Sequence, residues 1–463
     1  RPADLAGSTY FNGPLAGQAV TAANLPNGVA SNIAVFDVNL DDMSNFANDI
    51  RLSKSFDLSG SSLDVTVGHF FMNQNFQQDW HWSRIVTTTE NDAALISTPG
   101  AINGLAGVNQ AFGWDGSNRN YDLEAQVSSP FAALAWSNDA LSIDGSIRYD
   151  QMSQNGVRLA AAGGAFDLNN DGAITGSEAT VSLNRGVADA TADLTADNFA
   201  WSIGANYLLG DSFSVFARAS SGASFNFDRA LDFPVRDGTG ALRPGGEGAY
   251  VDQVDQYELG FKLQGAALGG GWLDVYGTAF LSQTEESNIV ITPPSGQVRE
   301  YEAKGIELET YYRNGVFNLY ATATYTDAEI TNALDAAGNV VAALAGNRPQ
   351  RQAELIWAVT PTLDFDRFSL TASWVGTTDS FASDFNDLRQ RGYSVVHLTG
   401  AVNLTDSLQL SLNVNNLFNA TGITESANDG RNGIDTNGDG RLDTTVGRSI
   451  FGRTTVARLR YSF

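Results

Sequence analysis

Cysteine is absent from this chain, which excludes disulfides and thiolate metal sites. The three histidines, His69, His81 and His397, are too few and too dispersed to suggest a zinc centre. Lysine is confined to Lys54, Lys262 and Lys304, and the net charge is -25. No basic stripe exists to neutralise phosphates, so a nucleic-acid partner is excluded, and acidic loops at a cell surface would attract cations instead. No stretch approaches the roughly 20 consecutive apolar residues of a spanning helix. The opening "RPADLAGSTYF" also lacks the basic and apolar regions of a signal peptide, so Arg1 is not expected to start the gene product of an exported protein.

What the chain does have is alternation. In "SLDVTVGHFF", Leu63, Val65, Val67 and Phe71 oppose Asp64, Thr66 and Gly68. In "LSIDGSIRYD", Leu141, Ile143, Ile147 and Tyr149 oppose Ser142, Asp144, Ser146, Arg148 and Asp150. "FNLYATATYT" and "LQLSLNVN" repeat the pattern, the latter setting Leu408, Leu410, Leu412 and Val414 against Gln409, Ser411, Asn413 and Asn415. Period two with one polar face fits an antiparallel sheet on a soluble core or a barrel in lipid.

The connections separate these two cases. About fifteen such segments occur, many longer than the roughly 9 to 11 residues that cross a bilayer at a tilt. Tight links, "LSGSS", "SNDA", "LLGDS", "GAALGGG", "RNG", "FDR" and "LTDS", alternate with mostly longer polar stretches at 81–117, 161–197, 226–250, 333–347 and 423–451 and shorter ones near 292 and 387. Segregation of loop length by parity points to an outer-membrane barrel, with short periplasmic turns and long extracellular loops, rather than a soluble sandwich. The ending "GRTTVARLRYSF" fits this. Tyr461 and Phe463 would sit in the interfacial girdle of a closing strand, as the signal read by the barrel-assembly machinery, and Arg458 and Arg460 would face the lumen.

Several pieces in order carry a resemblance: "FSVFARASSGASF", "DQYELGFKLQG", "REYEAKGIELETYYRNG", "NRPQRQAELIW", "LNVNNLFNATGITE" and "SIFGRTTVARLRYSF". They resemble consecutive strands of TonB-dependent outer-membrane receptors, across about the C-terminal 270 residues and more loosely back to "NDIRLSKSFDLSGSSLDVTVGHFF". The resemblance implies an all-β transmembrane antiparallel barrel of 22 strands, a lumen filled by an N-terminal plug, and a TonB box that couples ligand uptake to the proton gradient. No plug or TonB box is found in this sequence. It would therefore supply about 15 C-terminal strands, with the plug and remaining strands coming from another chain or a segment outside it. Residues 1–44 are then expected to be an extracellular loop and 45–463 barrel strands. Outer-membrane lipid, lipopolysaccharide and a capping surface lipoprotein are further expected partners, in a Gram-negative outer membrane.

A different class stands beside this one. If "SNIAVFDVNL", residues 31–40, forms a separate strand, the count becomes even, and the length suits a complete 16-stranded passive porin.

Two loops have the spacing of a calcium site. "DLNNDGAITGSE" places Asp167, Asn169 and Asp171 at alternate positions, then Gly172, the Ala173 carbonyl, Thr175 and a closing Glu178. Hard oxygen ligands at that spacing wrap the ion, glycine permits the sharp turn, and the last glutamate binds bidentately. "DTNGDGRLDTTV" repeats it with Asp435, Asn437, Asp439, the Arg441 carbonyl and Asp443, but its final position is Val446. An ordinary Asn/Asp/Gly turn needs no metal. The ligand geometry favours structural calcium in both, as a brace for long loops.

Catalysis finds no support. "GDSF" around Ser212 resembles an esterase nucleophile block, but it falls in a tight turn without an Asp-x-x-His partner, so no enzyme is expected. "DWHWSRI" places Trp80, His81 and Trp82 at a strand end, with Trp114 near the end of the same loop. These aromatic faces suit a sugar or an aromatic metal chelate, or an interfacial belt. Arg148, Arg458 and Arg460 would meet an anionic ligand or plug carboxylates.

Overall fold

The computed structural model describes the chain except residues 1–4, 98–111, 116–119, 166–171, 175–180, 227–250, 292–293, 336–337, 427–432, 435–443 and 446. It is all-β. Fifteen strands follow one another in a single antiparallel order: β1 Ala30–Leu58, β2 Ser61–Thr88, β3 Asn120–Asn138, β4 Leu141–Gly164 and β5 Val181–Gly210 come first. Then come β6 Phe213–Phe225, β7 Val251–Leu268, β8 Gly271–Ile291, β9 Pro294–Asn314 and β10 Phe317–Leu334. The last are β11 Leu355–Asp364, β12 Phe368–Thr377, β13 Tyr393–Asn403, β14 Leu408–Asn415 and β15 Thr454–Tyr461. A short strand, Phe112–Asp115, pairs with β2 off this path. Each strand of the order pairs with its sequence neighbour, which leaves β1 and β15 as its two ends.

All seven tight links expected from the sequence join consecutive strands, and the other connections are longer except where β8 meets β9. Local chemistry sets these turns. Gly269 and Gly270 sit at φ +58° and +83°. Two successive left-handed residues match the strand twist in a two-residue hairpin, and only glycine adopts them without strain. Between β3 and β4 the Asn138 carboxamide oxygen accepts from the backbone N–H of Ala140 at 2.9 Å and of Leu141 at 2.8 Å.

The strands run further than alternation alone indicated. Residues 1–44 are not simply a loop: Thr9–Tyr10 is a short strand, and β1 already begins at Ala30. Residues 31–40 are continuous with the rest of β1, so they do not add the separate strand on which the porin reading depended. Likewise β2 extends to Thr88, β4 to Gly164 and β10 to Leu334, inside stretches expected to be loops. The reason is physical. Alternation marks the part of a strand whose two faces meet different surroundings, whereas backbone pairing continues beyond it.

Contacts divide the chain into two units. The first comprises Arg1–Asn48, Phe71–Ser128 and Met152–Thr195. Its core holds Leu5, Tyr10, Val20, Leu25, Val86 and Ile96, clamped by the pairing of Thr9–Tyr10 with Ile96–Ser97. On β3, Tyr121, Leu123, Ala125 and Val127 are buried at every second position.

The second unit comprises Asp49–Phe70, Ser129–Gln151 and Ala196–Phe463. Register gives its sheet two chemically distinct faces. Leu408, Leu410 and Leu412 stand opposite Tyr461, Leu459 and Ala457, while Gln409 and Ser411 stand opposite Arg460 and Arg458. Phe317, Leu319, Ala321 and Ala323 face Leu363, Pro361, Val359 and Trp357 on the apolar side of β10 and β11. Many apolar side chains on that side are exposed, Leu459 at 64% among them. Large rings lie over cross-strand glycines: Phe261 beside Gly277, Trp357 beside Gly376, and Phe216 beside Gly260. Tyr461 and Phe463 stack with centroids 6.4 Å apart.

Candidate functional site at the loop ends of the strands

Three of the longer connections, those after β10, β12 and β14, meet in the second unit on an ordered platform. After β10 the chain folds back, and Ile330, Ala333 and Leu344 form a small buried core with Tyr301 and Val341 against it. Above β9, Arg299 Nε meets Asp384 Oδ2 at 3.3 Å, with both residues less than a tenth exposed. Further hydrogen bonds hold this pair. Arg299 also donates to the carbonyls of Val298 and Leu334, and Asp384 Oδ1 accepts the backbone N–H of Gln350 at 3.0 Å. Such additional hydrogen bonds are what a buried ion pair requires.

Two further loops are tied to it. Arg351 has φ +65°, and its backbone N–H donates to the Phe381 carbonyl at 2.7 Å. Its guanidinium pairs with Glu425 at 2.9 Å and donates to the Ser426 carbonyl at 3.0 Å. Glu425 is shared with Arg448 at 3.0 Å, and Gln390 donates to Ser426 Oγ. Residues 348–354, 378–392 and 423–449 are thereby joined by charge-assisted bonds.

A cavity of about 780 Å³ opens where β11, β12 and β13 pass into these loops. Trp357, Phe381 and Tyr393 supply its aromatic lining, and Arg348, Glu354, Asp379 and Arg389 its charges. The charges are matched: Arg348 pairs with Glu354, and Arg389 with Asp379. Arg348 also lies over the Phe381 ring at 5.6 Å. Sequence reasoning missed these residues. Three aspartates followed by two arginines within "DSFASDFNDLRQR" are the signal that could have marked an ion-paired loop.

The residues singled out from the sequence distribute as follows. Of the first acidic loop only Gly172, Ala173 and Ile174 are described, and Gly172 has φ +81°, the left-handed turn that the central glycine of a calcium loop makes. Asp167, Asn169, Asp171, Thr175 and Glu178 lie outside the described residues, as do Asp435, Asn437, Asp439, Arg441 and Asp443. Flanking the second loop, Gly433 and Ile434 pair with Thr445 and Thr444, which draws its two ends together. Among the described residues no group of three acidic or histidine side chains is placed to hold a metal.

Trp82 pairs in register with Asp115, and Ser83 with Trp114, so positions 82 and 114 are out of phase by one residue. The three tryptophan positions therefore do not share one side of the ladder, because facing residues alternate with period two. Ser212 falls in the turn between β5 and β6, where its carbonyl accepts from the Gln264 N–H at 2.8 Å. His397 stands opposite Ser373, and its Nδ1 is 3.4 Å from the Asn416 N–H. Arg148 pairs with Asp150 and lies over Phe70 at 5.6 Å. Arg458 and Arg460 are exposed on the polar side of β15.

A long antiparallel order with one apolar face, tight turns at one end and large loops at the other defines a protein of the membrane-barrel class. More particularly, the chain belongs to the family described as TonB dependent receptor-like, beta-barrel, whose model matches residues 4–417. Solved structures of similar fold include the siderophore receptor PiuA from Acinetobacter baumannii, at 16% identity and TM-score 0.62, covering 92% of this chain and 56% of that one. The ferric citrate transporter FecA matches at 14% identity and TM-score 0.57, covering 92% and 55%. The copper transporter OprC matches at 14% identity and TM-score 0.53, covering 92% and 66%. The chain thus spans little more than half the length of PiuA and FecA. No curated protein matches it by sequence.

Proposed function

We propose that this chain forms the barrel portion of an active-transport receptor in the outer membrane of a Gram-negative bacterium. It would import a nutrient, either a carbohydrate or a metal chelate, with energy delivered by TonB through a plug. The observation that carries this reading is the segregation of seven tight turns at one end of the strands from the long, interlocked loops at the other, within a chain of this family. An exposed apolar face suits lipid, and long loops suit ligand capture on the extracellular side.

The two acidic loops would hold structural calcium, which offsets the repulsion of an acidic loop layer. The left-handed Gly172 and the pairing of Gly433 with Thr445 support that reading. Barrel-assembly machinery, lipopolysaccharide and a surface lipoprotein fit the same location as partners.

Uptake of labelled nutrients into cells, with and without the energising TonB protein, tests the transport reading. TonB-dependent accumulation is the expected result. Accumulation that persists unchanged without TonB, and follows the outside concentration, would replace it with a passive channel.

A further inference from the structure

We propose that the cavity at the loop ends of β11, β12 and β13 binds a neutral pyranose sugar. Its volume, about 780 Å³, lies within the range of small-ligand pockets, roughly 300–1,000 Å³. This deepens the receptor reading and rests on it for a supply of sugar from the loop side. Binding itself is a quantity separate from uptake.

Charge is the first discriminator. Two guanidiniums and two carboxylates line the cavity, and each is already paired, Arg348 with Glu354 and Arg389 with Asp379. The sum is zero. A phosphate, an anionic iron chelate or a bare cation would lose its hydration without meeting a charge free to replace it. A neutral ligand carries no such cost.

Hydrogen-bonding pattern is the second. Donors that cannot accept stand beside acceptors that cannot donate, and the hydroxyls of Ser380 and Ser394 can do either. A sugar hydroxyl donates and accepts at once, so it can bridge a guanidinium and its carboxylate. The pairs are held in advance: Asp379 Oδ1 accepts the Gly392 N–H at 2.6 Å, and the Asp379 carbonyl accepts from Arg348 at 3.3 Å. Binding therefore costs little side-chain ordering.

The aromatic lining is the third. Arg348 lies over the Phe381 ring, and Tyr393 lines the same cavity. The C–H face of a pyranose is the part of a sugar that stacks on such rings while its hydroxyls point to the polar rim.

The experiment is an equilibrium titration of the intact receptor in mixed micelles, read by saturation-transfer NMR. The probes are methyl glycosides of glucose, galactose and N-acetylglucosamine, with galacturonate and inorganic phosphate as charged competitors. A second arm presents the same sugars on glycolipids in vesicles. Arg389, whose side chain is 69% exposed, is the most exposed of the four charges. Arg389→Ala is expected to weaken binding of a neutral glycoside roughly tenfold, the loss of one charge-assisted hydrogen bond. Phe381→Leu should weaken it by removing the ring while keeping an apolar side chain. Binding of a free glycoside supports the proposal; binding confined to lipid-borne sugar also supports it and assigns the source to the surrounding leaflet. No glycoside binding, preference for galacturonate or phosphate, or affinity unchanged in both variants would overturn it. A silent cavity in a receptor with TonB-dependent uptake removes the sugar assignment alone, whereas sugar binding without that uptake removes the transport reading alone.

Discussion

Arg299 and Asp384, 85 residues apart in sequence, form a nearly buried ion pair that fastens the loop after β12 to the end of β9. Asp384→Ala leaves a guanidinium buried without its partner, and the expected cost is about 3–5 kcal/mol. Thermal unfolding followed with limited proteolysis of residues 378–392 measures it. The double variant Arg299→Met, Asp384→Leu should recover much of the loss, since an apolar pair of similar volume carries no stranded charge.

Gly277 lies under the Phe261 ring, and an added Cβ would come within 2.5 Å of it. The three nearest atoms all belong to that one side chain. Gly277→Ala should therefore destabilise by about 1–3 kcal/mol, the usual cost of overpacking. In a Phe261→Ala background the same change should cost far less. Heat-induced mobility shifts on gels, read for all four members of the cycle, would expose equal costs in both backgrounds if the ring is not the obstacle.

Glu425 bridges Arg351 and Arg448 but remains about a third exposed. Glu425→Gln should cost under about 1 kcal/mol, as exposed pairs do. Its signature is salt dependence. Proteolysis of residues 423–449 should rise with ionic strength in the native protein and change little with salt in the variant, because screening acts only on the charged form.

Calcium removal should loosen the two acidic loops. With chelator present, protease cleavage near Asp167 and Asp435 is expected to rise and to fall again on adding calcium. Glu178→Gln, at the position proposed for the bidentate ligand of the first loop, should reproduce the chelator effect there and spare the second. Cleavage indifferent to calcium at both loops would leave them as ordinary turns.

Much of the sheet was legible because its causes are local. The tight turns show as Gly, Asn and Asp clusters between alternating segments, and Gly269 and Gly270 adopt the backbone that such clusters imply. The two-faced register of β14 and β15 follows from alternation alone, with Leu410 opposite Leu459 and Gln409 opposite Arg460. Strand ends were not legible: β1 begins at Ala30, where the unbroken apolar run Ile33–Phe36 blurs the alternation. Nor was the offset of Trp114 from Trp82, because register depends on the partner strand and a slip of one residue exchanges faces.

The sequence by itself determined the class of this protein: period-two patterning, the parity of its loops, the scarcity of lysine, the absence of cysteine, and two acidic loops with ligand spacing. Tertiary structure alone decided which charges meet. Arg299 finds Asp384, Arg348 finds Glu354, and Arg351 finds Glu425. Alternation and turn chemistry are encoded within a few residues, whereas an ion pair between loops depends on strand order and register summed over the intervening chain.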